Sequence, residues 1–499
     1  MITIHHLPLA VRLDEIPVVS VEEAYACINQ YLRVGQSRHV FHVVALPHAN
    51  GHRVITVLAD DHTHSVSLTS CIVRTSSPVP SLTPSHAQMH IFERDLWERY
   101  GLEFTDHPWC KPVRFPMDSF HGKGIDDYPF FRLEGGESHE VGVGPIHAGV
   151  IEPGHFRFQC TGEDVVHLEI KLGYQHRDVE GELERARTPQ QRCVLAESIA
   201  GDTTIGHAWA HAMAIEVLTG QQSDPITEHE RVIALELERM AIHVGDLGAL
   251  SLDVAWQLGS SYFGALRTPL VNFFQLWCGN RFGKGLIRPG RNRFPLDEER
   301  RKAMRLMLAE FEKKFTLLAN EMFSLPSVVA RFEGTGVVTH DQVTAIGAVG
   351  MSARMSGLGR DIRRSHPHGS YRALDHVSVI EHGGDVLARA AVRRREVDAS
   401  MRRIRIVLNE LSEMSGSDAP TVPSTFTPNT LAISAVEAWR GEVVHVAVTD
   451  QDGQIQAYRI KDPSMHNWFA LALAVRNNEI SDFPICNKSF DLSYCGHDL

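Results

Sequence analysis

The side chains that could hold a metal ion or cluster are thinly spread along the chain. None of the eight cysteines forms a Cys-x-x-Cys pair, which excludes an ordinary iron-sulfur or zinc motif within this chain. His207 and His211 lie four residues apart, so on a helix they would share a face and supply half of a divalent-metal site. Residues at this spacing more often form hydrogen bonds at an interface. The cysteines and histidines therefore predict reduced thiols and no metal centre.

Two groups of ionisable residues could carry protons. His176, Arg177 and Glu180 lie three to four residues apart, which on a helix would place them on one face, where a buried Glu beside a His could pass protons along. The structural alternative is an ion pair between Glu180 and Arg177 or another neighbour. Asp202 could carry a proton in a partly buried cleft, but the favoured interpretation is that it caps a helix beginning near Thr203.

The elements that must position these residues indicate an α+β fold. The dipeptides Asn50-Gly51 and Asp452-Gly453 each separate two β-rich runs, and this pattern is typical of a hairpin. Residues 190–415 have a mostly helical pattern, in which 300–323 and 385–413 read as long, charged amphipathic helices. We therefore predict a small N-terminal α/β module followed by a mainly helical domain that contains a small β element.

Composition narrows the class of protein. A formal net charge of -12 argues against nucleic-acid binding, which favours a basic surface. The sequence contains no run of 18 apolar residues, so it predicts no membrane span. The first residues, 1–13, lack a basic head followed by an apolar block, so secretion is not expected.

A series of short motifs runs from residue 144 to the C-terminus. They include Gly-Pro-Ile-His at 144–147, Glu-Leu-Glu-Arg at 236–239, Arg-Met-Ser-Gly at 354–357 and Arg-Gly-Glu at 440–442. In this order they resemble the large subunit of formate hydrogenlyase and hydrogenase-4, a [NiFe]-hydrogenase-type family that includes the 49 kDa subunit of respiratory complex I. Residues 92–108 resemble the 30 kDa subunit. The resemblance implies a fusion, with a 30 kDa-like domain over residues 1–125 and a 49 kDa-like domain over residues 126–499.

The same resemblance implies that this chain lacks the nickel ligands. A nickel enzyme of the family carries two Cys-x-x-Cys pairs, and the corresponding positions here are Ala200, Thr203, Ser493 and Gly496. Cys495 is one residue out of register, so a shifted alignment would restore one thiolate but not four. The sequence ends three residues after Gly496, and we expect no C-terminal extension of the kind that maturation proteases remove. Nickel is held in these enzymes by thiolates, so we expect no metal here.

The quinone-reducing branch of the family is only partly matched. Gly201 resembles, by its position in the sequence, a tyrosine of complex I whose hydroxyl bonds the quinone head group. Glycine has no hydroxyl to donate. His147 or His155 would match the quinone-site histidine of the family, and the sequence leaves the choice between them open. No Gly-rich dinucleotide fingerprint followed by an acidic residue is present, so we do not expect this chain to oxidise NADH.

The resemblance implies a non-nickel large subunit of a membrane-bound, complex I-like redox complex that couples electron transfer or a conformational change to ion translocation. It implies no cofactor in this chain, a partner small subunit with a [4Fe-4S] cluster, antiporter-like membrane subunits, and a peripheral place on the cytoplasmic face of the inner membrane. Glu180, His176 and Asp202 are the candidate proton path. One alternative is a quinone-reducing subunit, with His147 or His155 as donor, and another is a structural adaptor without redox activity.

Overall fold

A computed structural model describes residues 1–33, 35–122, 124–149, 151–414 and 425–499. Its strands, in chain order, are β1 (Ile2–His5), β2 (Leu9–Arg12), β3 (Val18–Val19), β4 (Arg38–His48), β5 (Gly51–Asp60), β6 (Ser65–Val73), β7 (Val79–Pro80), β8 (Phe104–Thr105), β9 (Ser138–Val143), β10 (His155–Thr161), β11 (Asp164–Lys171), β12 (Ile287–Arg288), β13 (Arg291–Asn292), β14 (Thr430–Glu437), β15 (Glu442–Thr449) and β16 (Ile455–Lys461).

The α-helices account for most of the second half of the chain. In order they are α1 (Val21–Leu32), α2 (His90–Tyr100), α3 (Val179–Arg185), α4 (Pro189–Ala196), α5 (Thr204–Thr219), α6 (Pro225–Asp253), α7 (Gln257–Cys278), α8 (Glu298–Ser324), α9 (Pro326–Phe332), α10 (His340–Ala345), α11 (Met351–Arg354), α12 (Ile362–Ser365), α13 (Val386–Glu413), α14 (Ser464–Ala474), α15 (Phe483–Phe490) and α16 (Tyr494–Asp498). Short 3-10 turns lie at Ala87–Met89, Ile125–Asp127, Gly369–Arg372 and Ile480–Asp482.

The N-terminal module is built on a meander of antiparallel strands. β4 and β5 form a hairpin in which His48 pairs with Gly51, as Asn50-Gly51 predicts, and β6 continues the sheet. β1 and the short parallel β3 both pair with β6. Helices α1 and α2 pack against this sheet through a buried apolar cluster.

A second sheet positions the C-terminal half of the candidate site. β14, β15 and β16 follow one another as antiparallel neighbours, which confirms the hairpin predicted at Asp452-Gly453. The N-terminal strand β2 completes the sheet by pairing with β14. This small sheet therefore contains residues from both ends of the chain, while the predicted boundary at residue 125 stays a prediction.

The largest core cluster lies among the long helices α6, α7, α8 and α13. The predicted helices at 300–323 and 385–413 match α8 and α13 to within two residues at each end, and the α+β fold class is confirmed. Arg354 and Arg363 are buried in this region and both bind the carboxylate of Glu396 on α13, at 2.8 and 3.0 Å. Arg363 also pairs with Asp361 at 2.8 Å, so these side chains form a buried ion-pair network.

Candidate functional site

The turn that contains two of the four ligand positions ends where α5 begins. Ala200 and Thr203 are both buried, and Thr203 is the residue that precedes the helix. The first amides of the helix are capped by Glu238 of α6, whose carboxyl oxygens accept from Ile205 N at 2.7 Å and from Gly206 N at 3.3 Å. The prediction that Asp202 caps this helix was wrong, because Glu238, which is distant in sequence, takes that role.

Asp202 instead pairs with a buried arginine. Arg440 follows β14 in the chain, and its guanidinium meets both carboxylate oxygens of Asp202, at 2.6 and 2.7 Å. It also donates to Thr203 Oγ1 at 3.2 Å and to the carbonyl of Asp491. Burial lowers the pKa of Arg440, but the carboxylate of Asp202 outweighs this effect and raises it above its ordinary value. A permanent cation therefore joins the two segments that contain the ligand positions.

The C-terminal pair of positions is closed by hydrogen bonds. Ser493 caps α16, since its Oγ accepts from Gly496 N at 2.8 Å, and its own amide donates to Ser464 Oγ at 2.9 Å. A Cβ atom added at Gly496 would lie 2.5 Å from Asp462 Oδ2. Asp462 is in turn held by the ring of His207, with Nε2 at 3.1 Å from Oδ2. Burial raises the pKa of Asp462, but hydrogen bonding from His207 and the charge of Arg440 leave it below its ordinary value.

These residues do not fit a nickel centre. The four positions supply a methyl group, two hydroxyls and a hydrogen atom, and the neighbouring groups are a guanidinium and a carboxylate. Burial raises the pKa of both nearby thiols, Cys495 and Cys486, to about 11, so neither is a thiolate at neutral pH. Across the described part of the chain, no group of three or more His, Cys, Asp or Glu side chains is placed to hold a metal ion.

Two family matches account for this architecture. Residues 19–129 match the respiratory-chain NADH dehydrogenase 30 Kd subunit family, and residues 253–429 match the 49 Kd subunit family. The chain therefore joins domains that match these two subunit families in one polypeptide. The predicted fusion of the two subunit types is thereby confirmed.

Named relatives of this large subunit include hydrogenases. The carbon monoxide-induced hydrogenase of Rhodospirillum rubrum is 29% identical over 71% of this chain and 97% of its own length. Formate hydrogenlyase subunit 5 of Escherichia coli (strain K12) is 27% identical over 83% of this chain and 76% of its own length. A chain in the structure of the membrane-bound sulfane sulfur reductase, an archaeal respiratory membrane complex, shares the fold with a TM-score of 0.67 at 22% identity, over 73% of this chain and 99% of that one.

The two candidate quinone donors of this large subunit lie together near the C-terminal ligand segment. His147 donates to the carbonyl of Gly154 at 2.8 Å, and His155 donates to the carbonyl of Gly144 at 3.0 Å. Gly154 packs against the ring of Tyr494, which begins α16. Both rings are half-buried. His147 lies in the loop between β9 and β10, and His155 is the first residue of β10, so the structure brings them near each other without selecting either.

Gly201, which stands at the position of the complex I tyrosine, is exposed. A Cβ atom there would meet no atom within 4 Å. The adjoining cavity is very small, about 10 Å³. The space beside Gly201 therefore accepts a larger side chain, although nothing in the native residue would bond a head group.

The predicted proton path through Glu180 and His176 has a different geometry. Helix α3 begins at Val179, so His176 and Arg177 precede it and do not share a helix face with Glu180. That part of the prediction was wrong, because Asp178 adopts a left-handed conformation that starts the helix later. Glu180 does form an ion pair, as the structural alternative proposed, but its partner is Arg99 of α2 at 2.6 Å and not Arg177. His176 donates to the carbonyl of Asp498 at 2.8 Å.

Sequence reasoning missed three buried groups beside the ligand positions: Asp462, Glu238 and His445. His207 was considered only as part of a metal site, and the structure places it in hydrogen bonds with His445 and Asp462, as expected for buried residues at this spacing. One signal was present for His445, which is the polar residue within an apolar run at 443–448. Its partners are more than 200 residues away or on the adjacent strand, so no local spacing predicts the contact.

Proposed function

We propose that this chain is the large subunit of a membrane-bound redox complex that works without nickel. The observation that carries the proposal is the bidentate pair of Arg440 with Asp202. This cation joins the two segments that hold the four thiolates in nickel enzymes, and it would repel a divalent metal. The role left for this domain is to couple electron transfer, or a conformational change, to ion translocation.

The proposed partners follow from the relatives. One relative is named hydrogenase-4 component G, and another is named as a subunit of NADH-quinone oxidoreductase; both names describe components of larger assemblies. We propose an iron-sulfur small subunit with a [4Fe-4S] cluster as the electron-transfer partner, and antiporter-like subunits as the membrane partner. Among the described helices, none is long and apolar enough to cross a membrane. The proposed location is the cytoplasmic face of the inner membrane, with attachment through these partners.

Exposed apolar side chains support a docking role. Met117 is fully exposed and Ile146 is 88% exposed. Both lie on segments between the N-terminal module and β10, and Phe120 adds a further exposed ring. Met117 and Phe120 lie three residues apart on one segment, and exposed large apolar side chains that cluster are typical of protein interfaces.

Elemental analysis of the complex, purified through a tag on this chain, tests the proposal. We expect iron from the small subunit and less than about 0.1 nickel per copy of the chain. Nickel near one per copy would contradict the proposal. Absence of both metals from an intact complex would favour the structural adaptor.

Quinone reduction is the second candidate, supported by the two histidines at the loop between β9 and β10. His147→Ala and His155→Ala remove the two candidate donors singly, and His139→Ala, which alters an exposed residue on the neighbouring strand β9, is the matched control. A loss of quinone reductase activity of at least tenfold in one of the first two variants, with the control unchanged, supports this candidate. Equal rates in all three variants would contradict it.

A further inference from the structure

A continuous line of hydrogen-bonded side chains crosses the core between α5 and the second sheet. His211 Nδ1 lies 2.9 Å from Tyr458 OH, which lies 2.8 Å from His445 Nδ1. His445 Nε2 is 3.1 Å from His207 Nδ1, and His207 Nε2 is 3.1 Å from Asp462 Oδ2. All five residues are at most 2% exposed. We refer to these five side chains as the histidine line.

The hydrogen-bond partners determine which atom carries each proton in the histidine line. Asp462 is an ionised carboxylate, so His207 donates to it from Nε2 and must accept at Nδ1. His445 then donates from Nε2 and accepts at Nδ1 the hydroxyl proton of Tyr458. The phenol oxygen in turn accepts the Nδ1 proton of His211. A single set of neutral tautomers therefore satisfies all four bonds, and every donor points toward Asp462.

His211, His445 and Tyr458 are neutral at physiological pH. Burial lowers the pKa of His211 to about 3 and that of His445 well below its ordinary value. Burial also raises the pKa of Tyr458 well above its ordinary value. Neutral groups with one donor and one acceptor each are suited to pass a proton along without holding a charge in the core.

The two ends of the histidine line reach different places. His211 lines a cavity of about 530 Å³, together with Arg192, Arg288 and Gln454. Asp462 lies against Gly496, one of the four ligand positions. The line therefore connects a solvent-accessible cavity with the region closed by Arg440.

We propose that the histidine line is a proton relay between this cavity and Asp462. A proton from cavity water binds His211 Nε2, and the Nδ1 proton of His211 passes to Tyr458 as the hydroxyl proton of Tyr458 passes to His445 Nδ1. The Nε2 proton of His445 then moves to His207 Nδ1, and the Nε2 proton of His207 moves to the carboxylate of Asp462. One proton enters, one carboxyl group forms, and each ring stays neutral. The reverse sequence returns the proton to the cavity and restores the first set of tautomers.

A merely structural role explains the geometry less well. Four polar aromatic side chains in a core each incur a desolvation cost, and apolar side chains of similar size would avoid it.

The relay rests on the proposed function in one respect, since a nickel-free site that couples chemistry to ion movement needs a proton route. Its test is independent of any redox partner.

Solvent exchange of ring N–H protons in the full chain tests the relay. With ¹⁵N-labelled histidine, and signals assigned through single His→Gln variants, we expect the protons of His207 and His445 to exchange with water through the line. Tyr458→Phe removes the only hydroxyl in the line, so exchange at both rings should slow by at least tenfold, while His211 keeps its wild-type rate. Tyr371→Phe is the matched control, because Tyr371 is another buried tyrosine whose hydroxyl binds a carboxylate, that of Glu236.

Slowing cannot arise from general damage, because a destabilised core opens more often and exchanges faster. His211→Gln is the second variant, since an amide keeps a hydrogen bond to Tyr458 but does not relay protons, and it should slow both rings equally. Unchanged or faster exchange at His207 and His445 in both variants overturns the relay. Equal slowing in Tyr371→Phe overturns it as well. A complex found to contain nickel would contradict the proposed function but leave this result standing.

Discussion

The guanidinium of Arg440 meets the carboxylate of Asp202 in a parallel two-bond pair, at 2.6 and 2.7 Å. Arg440 is 4% exposed, and its guanidinium also stacks on the ring of Trp439, 3.9 Å from the ring centroid. This fork geometry is specific to arginine, since a lysine ammonium is a single point charge. With its further bond to the carbonyl of Asp491, Arg440 thereby links the turn before α5 to the segment that precedes α16.

Arg440→Ala should lower the free energy of unfolding by about 3 kcal/mol, because it removes the two-bond donor of Asp202 and the donor to the carbonyl of Asp491. Arg440→Lys should recover less than half of this loss. Urea unfolding followed by circular dichroism measures both. Arg395→Ala is the control, since Arg395 pairs with Glu381 at 2.6 Å but is 53% exposed, and exposed pairs contribute about 0–1 kcal/mol. Equal losses in the Arg440 and Arg395 variants would contradict the assignment.

Restoring one cysteine at a ligand position should damage the fold. In Gly496→Cys the new Cβ would lie 2.5 Å from Asp462 Oδ2 and 2.8 Å from Ser493 Oγ, and both atoms are held by hydrogen bonds. Overpacking of this kind costs about 2 kcal/mol. Gly201→Cys introduces the same side chain where a Cβ meets nothing within 4 Å, so its unfolding midpoint should match that of the wild type. Equal midpoints in both variants would show that the C-terminal segment is free to move aside.

Local patterns in the sequence predicted the elements well. Asn50-Gly51 and Asp452-Gly453 marked both hairpins because a tight turn depends on the residues in it. The apolar periodicity of α8 and α13 located both helices because one face of each packs on the core. Such signals are contained within a few adjacent residues.

The site depends on pairs that are far apart in the chain, so it was less predictable. A helix cap at Asp202 is the best local interpretation, yet Arg440, 238 residues later, takes its carboxylate. The partner of Glu180 is Arg99 of α2 and not the adjacent Arg177. His207 and His445 are brought together only when α5 packs on β15. The resemblance to a family assigned Ala200, Thr203, Ser493 and Gly496 to ligand positions, but it did not predict the pair of Arg440 with Asp202 beside them.

Glu180→Gln should weaken the contact between the N-terminal module and the rest of the chain. Burial raises the pKa of Glu180, but the charges of Arg99 and Arg459 outweigh it and leave the pKa below its ordinary value. The stability from Glu180 is therefore present above the unfolded pKa of 4.5 and is lost as pH falls through the lower folded value.

We expect Glu180→Gln to lower the free energy of unfolding by about 2 kcal/mol at pH 7, measured by urea unfolding. Below about pH 4.5 the difference in this free energy between variant and wild type should become smaller. Glu182→Gln is the control on the same helix. Its carboxylate is 45% exposed and pairs with Arg185 at 2.8 Å, so the loss should stay below about 1 kcal/mol. A gap for Glu180→Gln that stays constant down to pH 3 would argue against a charged Glu180 in the folded protein.

Glu238 should affect the pH dependence of stability in the opposite direction to Glu180, and Glu238→Gln tests this. Burial raises the pKa of Glu238 from 4.5 to about 8, although the amides of Ile205 and Gly206 partly offset it. Between these values the folded protein holds a proton that the unfolded chain has released, so stability falls as pH rises. The wild type should lose about 2 kcal/mol between pH 5.5 and pH 7.5 through this group, since one pKa unit corresponds to about 1.4 kcal/mol.

Glutamine cannot titrate, so this part of the decline should be absent from Glu238→Gln, while its amide oxygen still accepts from the first turn of α5. Urea unfolding at both pH values measures the difference. In the control, Glu310→Gln, the carboxylate is 67% exposed, and its pH dependence should follow the wild type. If the free energy of unfolding of Glu238→Gln declines with rising pH as steeply as that of the wild type, then Glu238 is ionised in the folded state. The N-terminus of α5, next to Thr203, is then capped by a full negative charge.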